Sequence, residues 1–251
     1  MLTDAARAAG DIAMRFWRQS PQVWDKGGDE GPVTEADLAV NDMLGKTLRA
    51  ARPGYGWLSE ETPDTDARLH SEYVFIIDPI DGTRAFIAGD SSFSHSLAIA
   101  RNGQITAATV YLPAMDRLYT ATFDGPALCN GEPIRHSDRQ LPDGATILTP
   151  KANLAAEHWV GPAPAFNRAF RASVAYRLCL IADGSFDGLI SFRQAWEWDI
   201  AAGALIAARA GAVVSNRQNA PLRFNTEIAR SNGILAAAPD LHAALFARMK
   251  Q

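Results

Sequence analysis

The sequence has little that would indicate a disulfide framework, a membrane protein or a nucleic-acid-binding protein. Its two cysteines, Cys129 and Cys179, stand apart and form no CxxC pair, so we interpret them as small apolar residues in a reducing compartment. No apolar run approaches the length of a membrane span, and the first residues lack the plan of a signal peptide, which predicts a cytoplasmic protein without a membrane partner. The net charge of −4 and the lack of a basic block argue against binding to a nucleic-acid polymer.

Common signatures of nucleophilic catalysis are also missing. The chain has no G-x-S-x-G motif and its five histidines are scattered, so no serine or cysteine nucleophile stands out. His95, between two serines, is interpreted as a strand residue. With 251 residues, 47% of them hydrophobic and 21% charged, the chain has the composition of a globular protein with a large core.

The most informative stretch is residues 74–87, which read VFIIDPIDGTRAFI. Four apolar residues with high β-propensity lead into two carboxylates three residues apart, and a segment that can be helical follows. This order predicts a strand, a tight turn and the start of a helix. Because Pro79 keeps the preceding residue extended, Asp78 is expected at the end of the strand and Asp81 at the start of the helix, close to each other.

Two carboxylates held that close repel each other unless a proton or a cation lies between them. Their hard oxygen atoms suit Mg²⁺, so Asp78 and Asp81 are candidate metal ligands. The backbone N–H groups of Gly82 and Thr83 at the turn favour an anion, and the stretch therefore predicts a metal site beside a phosphate site. The alternative is an Asp-Pro turn followed by a helix cap without any ligand.

Three segments before this stretch contain further candidates. Lys26 lies in a polar, glycine-rich loop that is either a solvated connector or a mobile flap over an active site. Thr34 and Asp37 are spaced as a capping box. Asp37 is also a candidate to contact a metal ligand without binding the metal itself. Glu60 and Glu61 follow a short apolar stretch, and if that stretch is a strand they point to opposite faces, so only one of them can serve a given site.

The rest of the chain indicates two halves. Strand-like runs between residues 93 and 121 are separated by turns, and Asn-Gly at 102–103 is a strong hairpin signal, so we expect an antiparallel meander. The composition becomes polar and rich in proline and glycine at residues 137–144. We therefore predict an N-terminal half of residues 1–138 and a C-terminal half of residues 139–251.

A second informative stretch is residues 196–208, which read WEWDIAAGALIAA. Asp199 stands where the N-cap of a helix belongs, and the residues that follow are so small that the helix must pack very close to a neighbour. Asp199 is either only a cap or a third acid for the site around Asp78.

At these residues the chain resembles the inositol monophosphatase family of Mg²⁺-dependent, lithium-sensitive phosphomonoesterases. The two family signatures correspond to residues 78–83 (DPIDGT) and 198–203 (WDIAAG), and the similarity extends over nearly the whole chain. The resemblance implies a layered αβαβα sandwich, an α+β or α/β fold with an antiparallel sheet in the first half and a mixed sheet in the second. It also implies that the metal ligands are Glu60, Asp78, the Ile80 carbonyl, Asp81 and Asp199, and that Gly82 and Thr83 hold the phosphate.

The same resemblance implies the cofactor and the chemistry. Two or three Mg²⁺ ions are expected, with Mn²⁺ as a substitute and Ca²⁺ and Li⁺ as inhibitors. Thr83, with its hydroxyl near Glu60, would orient and deprotonate the water that attacks a small phosphorylated metabolite, helped by Asp81. Members of the family are often homodimers, and the sequence shows no interface.

The substrate is less well indicated. Inositol-selective members have a glutamate seven residues before the second-motif aspartate, and here that position is Phe192, which argues against inositol phosphate. Arg84 and Glu197 are similar to the bacterial 3′(2′),5′-bisphosphate nucleotidase branch, in which a basic residue at position 84 suits a doubly phosphorylated ligand. Arg193 with Phe192 or Trp196 would then contact the second phosphate and the base.

Other interpretations stay open at this point. Arg84 could be a solvated helix residue, and residues 129–131 (CNG) are more like the inositol branch. Histidinol phosphate is a third candidate substrate. An inactive phosphate-binding or interaction module is a hypothesis of another class, and it would be expected to have lost one of the acids.

Overall fold

A computed structural model describes residues 1–27 and 31–250. Six α-helices lie in these residues: α1 (Leu2–Phe16), α2 (Glu35–Ala51), α3 (Thr83–Ile87), α4 (Val174–Ala182), α5 (Glu197–Arg209) and α6 (Pro239–Phe246). A two-stranded antiparallel hairpin, β1 (Val23–Asp25) and β2 (Pro32–Thr34), precedes α2. None of the described helices is long and apolar enough to cross a membrane. The cytoplasmic location stays a prediction.

Seven strands form the larger sheet in chain order. They are β3 (Gly56–Ser59), β4 (Tyr73–Asp81), β5 (Ser94–Arg101), β6 (Gln104–Leu112), β7 (Arg117–Thr122), β8 (Leu128–Cys129) and β9 (Glu132–Pro133). Only the β3–β4 pair is parallel. The predicted meander is confirmed: Asn102 and Gly103 connect β5 to β6 with φ values of 49° and 82°, which a type I′ turn requires.

The second half forms a smaller, mixed sheet. Its strands are β10 (Thr146–Leu148), β11 (Asn167–Ala169), β12 (Gly188–Ser191), β14 (Val213–Ser215) and β16 (Ile234–Ala237), in the spatial order β11-β10-β12-β16-β14. Two further strands, β13 (Ala195–Trp196) and β15 (Arg230–Ser231), pair with each other beside α5.

The predicted layered αβαβα sandwich is confirmed, and alternation along β4 explains it. Phe75 and Ile77 pack with α1 and α2 on one face of the larger sheet, while Val74 and Ile76 pack with α4 and α5 on the other. The smaller sheet covers the far side of α4 and α5, and α6 closes the stack with Trp159. The middle core contains residues from both predicted halves, and the boundary at residue 138 stays a prediction.

Candidate active site

The site begins at the irregular end of β4. This strand continues to Asp81, three residues beyond its predicted end, and its pairing with β5 shifts register between Asp78 and Asp81. Pro79 lies inside this shift, where its missing N–H costs no regular ladder bond. Gly82 then adopts a left-handed φ of 93° and α3 begins at Thr83. The predicted tight turn is therefore a bulged strand end, which still places both acids at one edge of the sheet.

Three aspartates from distant parts of the chain meet at this edge. One carboxylate oxygen from each of Asp78, Asp81 and Asp199 lies within 4.8 Å of the others. The side chain of Asp78 is 1% exposed and that of Asp81 is 5% exposed. The structure thus brings together three of the acids that the sequence singled out, although their role as metal ligands stays a prediction.

The electrostatics of this cluster favour a cation. Burial, and then the nearby charges of Glu60 and Asp81, raise the pKa of Asp78 well above its ordinary value. Burial, and then the charge of Asp81, raise the pKa of Asp199 in the same way. Asp78 Oδ1 is buried without a hydrogen-bond partner in the described chain. An orphaned carboxylate oxygen among repelling acids is what a divalent cation would satisfy, so these residues fit a bound metal ion.

Asp81 is held by a group that the sequence did not single out for the site. Its Oδ2 accepts hydrogen bonds from Ser173 Oγ and from the backbone N–H of Ala175, both at 2.6 Å. Burial raises the pKa of Asp81 to about 6, although these two hydrogen bonds oppose the shift. The Ser173 hydroxyl also accepts from Tyr176 N at the start of α4. Ser173 was recognisable only as a helix cap, because nothing in its local sequence shows which acid lies opposite.

Asp199 is not the N-cap that the sequence predicted. Helix α5 begins two residues earlier, at Glu197, after Trp196, whose side chain makes no capping bond. Asp199 is therefore the third residue of the helix. Glu197 is completely buried and accepts hydrogen bonds from the backbone N–H groups of Asn225 and Thr226. Glu197, which precedes the second motif, thus holds the loop at Asn225 and Thr226, and this contact fixes the start of α5.

The partner of Thr83 also differs from the prediction. The Thr83 hydroxyl lies 3.2 Å from Asp37 Oδ1 and 3.1 Å from the Ile80 carbonyl oxygen, so it donates toward these atoms instead of toward Glu60. The predicted capping box is confirmed, since Asp37 N donates to Thr34 Oγ1 and Thr34 N donates to Asp37 Oδ2, which also accepts from the Thr34 hydroxyl. Burial raises the pKa of Asp37 to about 6. Asp37 Oδ2 therefore takes part in the cap of α2, and Asp37 Oδ1 contacts Thr83 at the site.

The two glutamates do not point apart. Strand β3 ends at Ser59, so the alternation of a strand no longer applies, and both carboxylates turn toward the same lysine. Lys26 Nζ lies 2.9 Å from Glu60 Oε1 and 2.6 Å from Glu61 Oε1. The structure brings Lys26 to the site, and the mobile flap stays a prediction. Part of that predicted loop, residues 28–30, lies outside the described residues.

The predicted substrate residues lie in three different environments. Arg84 is exposed at the start of α3 and lines a cavity with the β1–β2 hairpin. Arg193 is exposed after β12. Phe192 is 7% exposed and its ring packs against His158 and Trp159 in the core under α6, with centroid distances of 4.5 and 5.8 Å. The core therefore uses this ring, and the predicted contact of Phe192 with a base gains no support.

Comparison with known proteins accounts for this arrangement. A sequence model described as the inositol monophosphatase family matches residues 1–251. The chain belongs to the inositol monophosphatase family. This family consists of metal-dependent phosphatases, so the chain is a metal-dependent phosphoric monoester hydrolase.

Relatives within the inositol monophosphatase family have different names. An inositol-1-monophosphatase of Mesorhizobium japonicum is 34% identical over 231 residues, which are 86% of this chain and 84% of that protein. The 3′(2′),5′-bisphosphate nucleotidase CysQ of Escherichia coli K12 is 30% identical over 224 residues, covering 87% of this chain and 90% of the relative. The solved structure of the extragenic suppressor protein SuhB from Bartonella henselae has a TM-score of 0.84 at 28% identity, covering 98% of this chain and 95% of the other.

Proposed function

We propose that the protein is a Mg²⁺-dependent 3′(2′),5′-bisphosphate nucleotidase that converts adenosine 3′,5′-bisphosphate to AMP. The observation that carries the proposal is the position of Arg84. Its exposed guanidinium follows Thr83 directly and makes no hydrogen bond or ion pair within the described residues. An uncompensated positive charge beside a phosphate site favours a substrate with a second anionic group. Phe192 supports the same choice, because it replaces the glutamate of inositol-selective relatives.

The acidic cluster would hold the cofactor. Asp78, Asp81, Asp199, Glu60 and the carbonyl of Ile80 offer only hard oxygen donors, which suits Mg²⁺ and also Mn²⁺. The bound ions would polarise the phosphoryl oxygens and stabilise the departing alkoxide. Inhibition by Li⁺ and Ca²⁺ is proposed from the family.

The protein's own groups handle the water and the phosphate. The backbone N–H groups of Gly82 and Thr83 hold the phosphate, and the Thr83 hydroxyl, directed toward Asp37, presents its lone pairs to the attacking water. The water oxygen bonds to phosphorus while the bond from phosphorus to the alkoxide breaks. A proton of the water passes to Thr83 Oγ1 as the Thr83 proton passes to Asp37, and the alkoxide takes a proton from solvent.

Lys26 gives the site a further contact with the hairpin. The Lys26 ammonium binds Glu60 and Glu61 and neutralises part of their negative charge. When a metal cation binds Glu60, that carboxylate must either contact both the cation and Lys26 or release Lys26. We propose that Lys26 keeps Glu60 in position between turnovers.

A second candidate is an inositol-1-phosphate phosphatase. It is favoured by the 34% identity to inositol-1-monophosphatase and by the CNG sequence at residues 129–131. Histidinol phosphate stays a third candidate substrate, and a homodimer stays a prediction. An inactive binding module is disfavoured, because all four predicted acids are retained and three of them meet.

The deciding experiment compares kcat/KM for adenosine 3′,5′-bisphosphate and inositol 1-phosphate with Mg²⁺ and with EDTA. We expect turnover only with the metal and at least about a tenfold preference for the bisphosphate, which corresponds to about 1.4 kcal/mol of transition-state discrimination. A tenfold preference for inositol 1-phosphate would contradict the nucleotidase proposal. Turnover that is the same in EDTA would contradict the metal dependence.

A further inference from the structure

A cavity of about 370 Å³ lies between the β1–β2 hairpin and the start of α3. It is lined by Val23, Trp24, Asp25, Gly31, Pro32 and Arg84. Its volume is near the lower end of the range for ligand pockets, so it can take a small group such as a ring with its phosphate but not a large molecule.

Two connections along the chain link this cavity to the acidic cluster. Arg84 on its wall follows Thr83, whose hydroxyl contacts Asp37 at the site. Trp24, which also lines the cavity, lies two residues before Lys26, and Lys26 binds Glu60. Both sides of the cavity therefore lie within two residues, along the chain, of a side chain that contacts an acid of the site.

The cavity has a positive wall. The guanidinium of Arg84 has no hydrogen-bonding partner in the part of the chain that the structure describes, and Gly31, with φ of 84°, lets the hairpin backbone approach it closely. A Cβ atom at residue 31 would lie 3.4 Å from Arg84 Nη2. Among the described residues that line the cavity, Asp25 is the only acid, and its Oδ1 accepts the N–H of Gly27 at 3.0 Å. As far as residues 1–27 and 31–250 are concerned, the charge of Arg84 is thus available to an anion.

Another lining residue, Trp24, carries an aromatic ring that packs against no other described ring. Trp24 is 39% exposed, whereas the other five tryptophans are half-buried or buried. The other five each contact another aromatic ring, as in the stack of Trp196 on Trp198, whereas Trp24 contacts neither an aromatic ring nor a stacked cation within residues 1–27 and 31–250. A free indole face in a cavity with a cation suits a planar ring that carries an anionic group nearby.

We infer that this cavity is the subsite for the leaving part of the substrate, in which Trp24 stacks on a nucleobase and Arg84 binds the second phosphate. This inference rests on the proposed function, since it specifies how a nucleoside bisphosphate would be recognised. It makes Trp24, a residue outside both family signatures, a determinant of specificity.

The test uses Trp24→Leu, the conservative variant Trp24→Phe, and Phe123→Leu as a matched control, because Phe123 is an exposed aromatic residue that does not line the cavity. KM and kcat are measured with Mg²⁺ for adenosine 3′,5′-bisphosphate, adenosine 3′-monophosphate and the ring-free glycerol 2-phosphate. For Trp24→Leu we expect KM to rise about fivefold or more for both adenine substrates, with kcat and the KM of glycerol 2-phosphate nearly unchanged. Trp24→Phe should retain most of the affinity, and Phe123→Leu should behave as the wild type.

The variant Arg84→Gln tests the contribution of Arg84 separately from that of Trp24. It should raise KM for the bisphosphate about tenfold and leave KM for the two monophosphates nearly unchanged. The subsite is overturned if Trp24→Leu affects the ring-bearing and ring-free substrates equally or affects neither, or if Arg84→Gln does not distinguish bisphosphate from monophosphate. If the wild type instead prefers inositol 1-phosphate, the proposed function fails, and comparing adenosine 3′-monophosphate with glycerol 2-phosphate still decides whether Trp24 stacks on a base.

Discussion

Replacing Asp78 by asparagine should stabilise the metal-free protein and remove its response to Mg²⁺. The change keeps the size of the side chain but removes a buried charge whose Oδ1 has no partner in the described chain. In the absence of a cation that charge is repelled by Glu60, Asp81 and Asp199. The variant therefore loses a repulsion when the metal is absent and a ligand when it is present.

The size of the first effect follows from the geometry of the cluster. Two unit charges within 4.8 Å interact by about 3.5 kcal/mol or more at an effective dielectric constant of about 20. We expect a gain of about this size in the unfolding free energy at about pH 8 in EDTA. Because burial and repulsion raise the pKa of Asp78, the folded wild type takes up a proton there as the pH falls, and the advantage of the variant should shrink toward about pH 5.

The assay is unfolding by urea and by heat, with and without Mg²⁺. A concentration of a hundred times Kd should stabilise the wild type by about 2.7 kcal/mol, which corresponds to a rise in Tm of about 5–10 °C for a chain of this size. Asp78→Asn should show no such rise, while the exposed control Asp42→Asn should match the wild type. The reasoning is refuted if Asp78→Asn keeps the Mg²⁺-induced rise, or if it is less stable than the wild type in EDTA at about pH 8.

Two further predictions concern the proton path and the helix pair under the site. Thr83→Val should lower kcat about 100-fold or more with KM and circular dichroism nearly unchanged, whereas Thr83→Ser should retain activity, and equal loss in both variants would contradict the role of the hydroxyl. Gly203→Ala should cost about 1–3 kcal/mol in urea unfolding, because a Cβ there would lie 2.6 Å from Leu178 Cβ, while Gly54→Ala, with open space around it, should be neutral.

Short-range patterns predicted much of the fold. The Asn-Gly pair defined the hairpin between β5 and β6, because its backbone angles are required locally and do not depend on the rest of the protein. The small residues of α5 predicted close packing, and Gly203 does approach α4 closely. The capping box at Thr34 and Asp37 is likewise present.

Predictions that needed the direction of a side chain were less successful. Glu60 and Glu61 were expected to point apart, but β3 ends before them and both bind Lys26. Thr83 was assigned to Glu60 and instead contacts Asp37. Asp199 was placed at a helix cap, although α5 begins two residues earlier. For the two glutamates and Asp199 the outcome depends on where an element begins or ends, which is set by contacts with distant segments such as the one between Glu197 and Asn225. For Thr83 it depends on which acid the fold brings opposite the hydroxyl.

The sequence by itself determined the two acidic motifs and the hairpin turn, since these depend on residue types at fixed spacing along the chain. The resemblance carried by those motifs then implied the family and its layered fold. Only the tertiary structure decided which hydroxyl, lysine and backbone N–H each acid meets, and that Trp24 and Arg84 share one cavity. These contacts join residues many positions apart, as Ser173 and Asp81 show. Their distances follow from how the sheets and helices pack, and no local pattern encodes them.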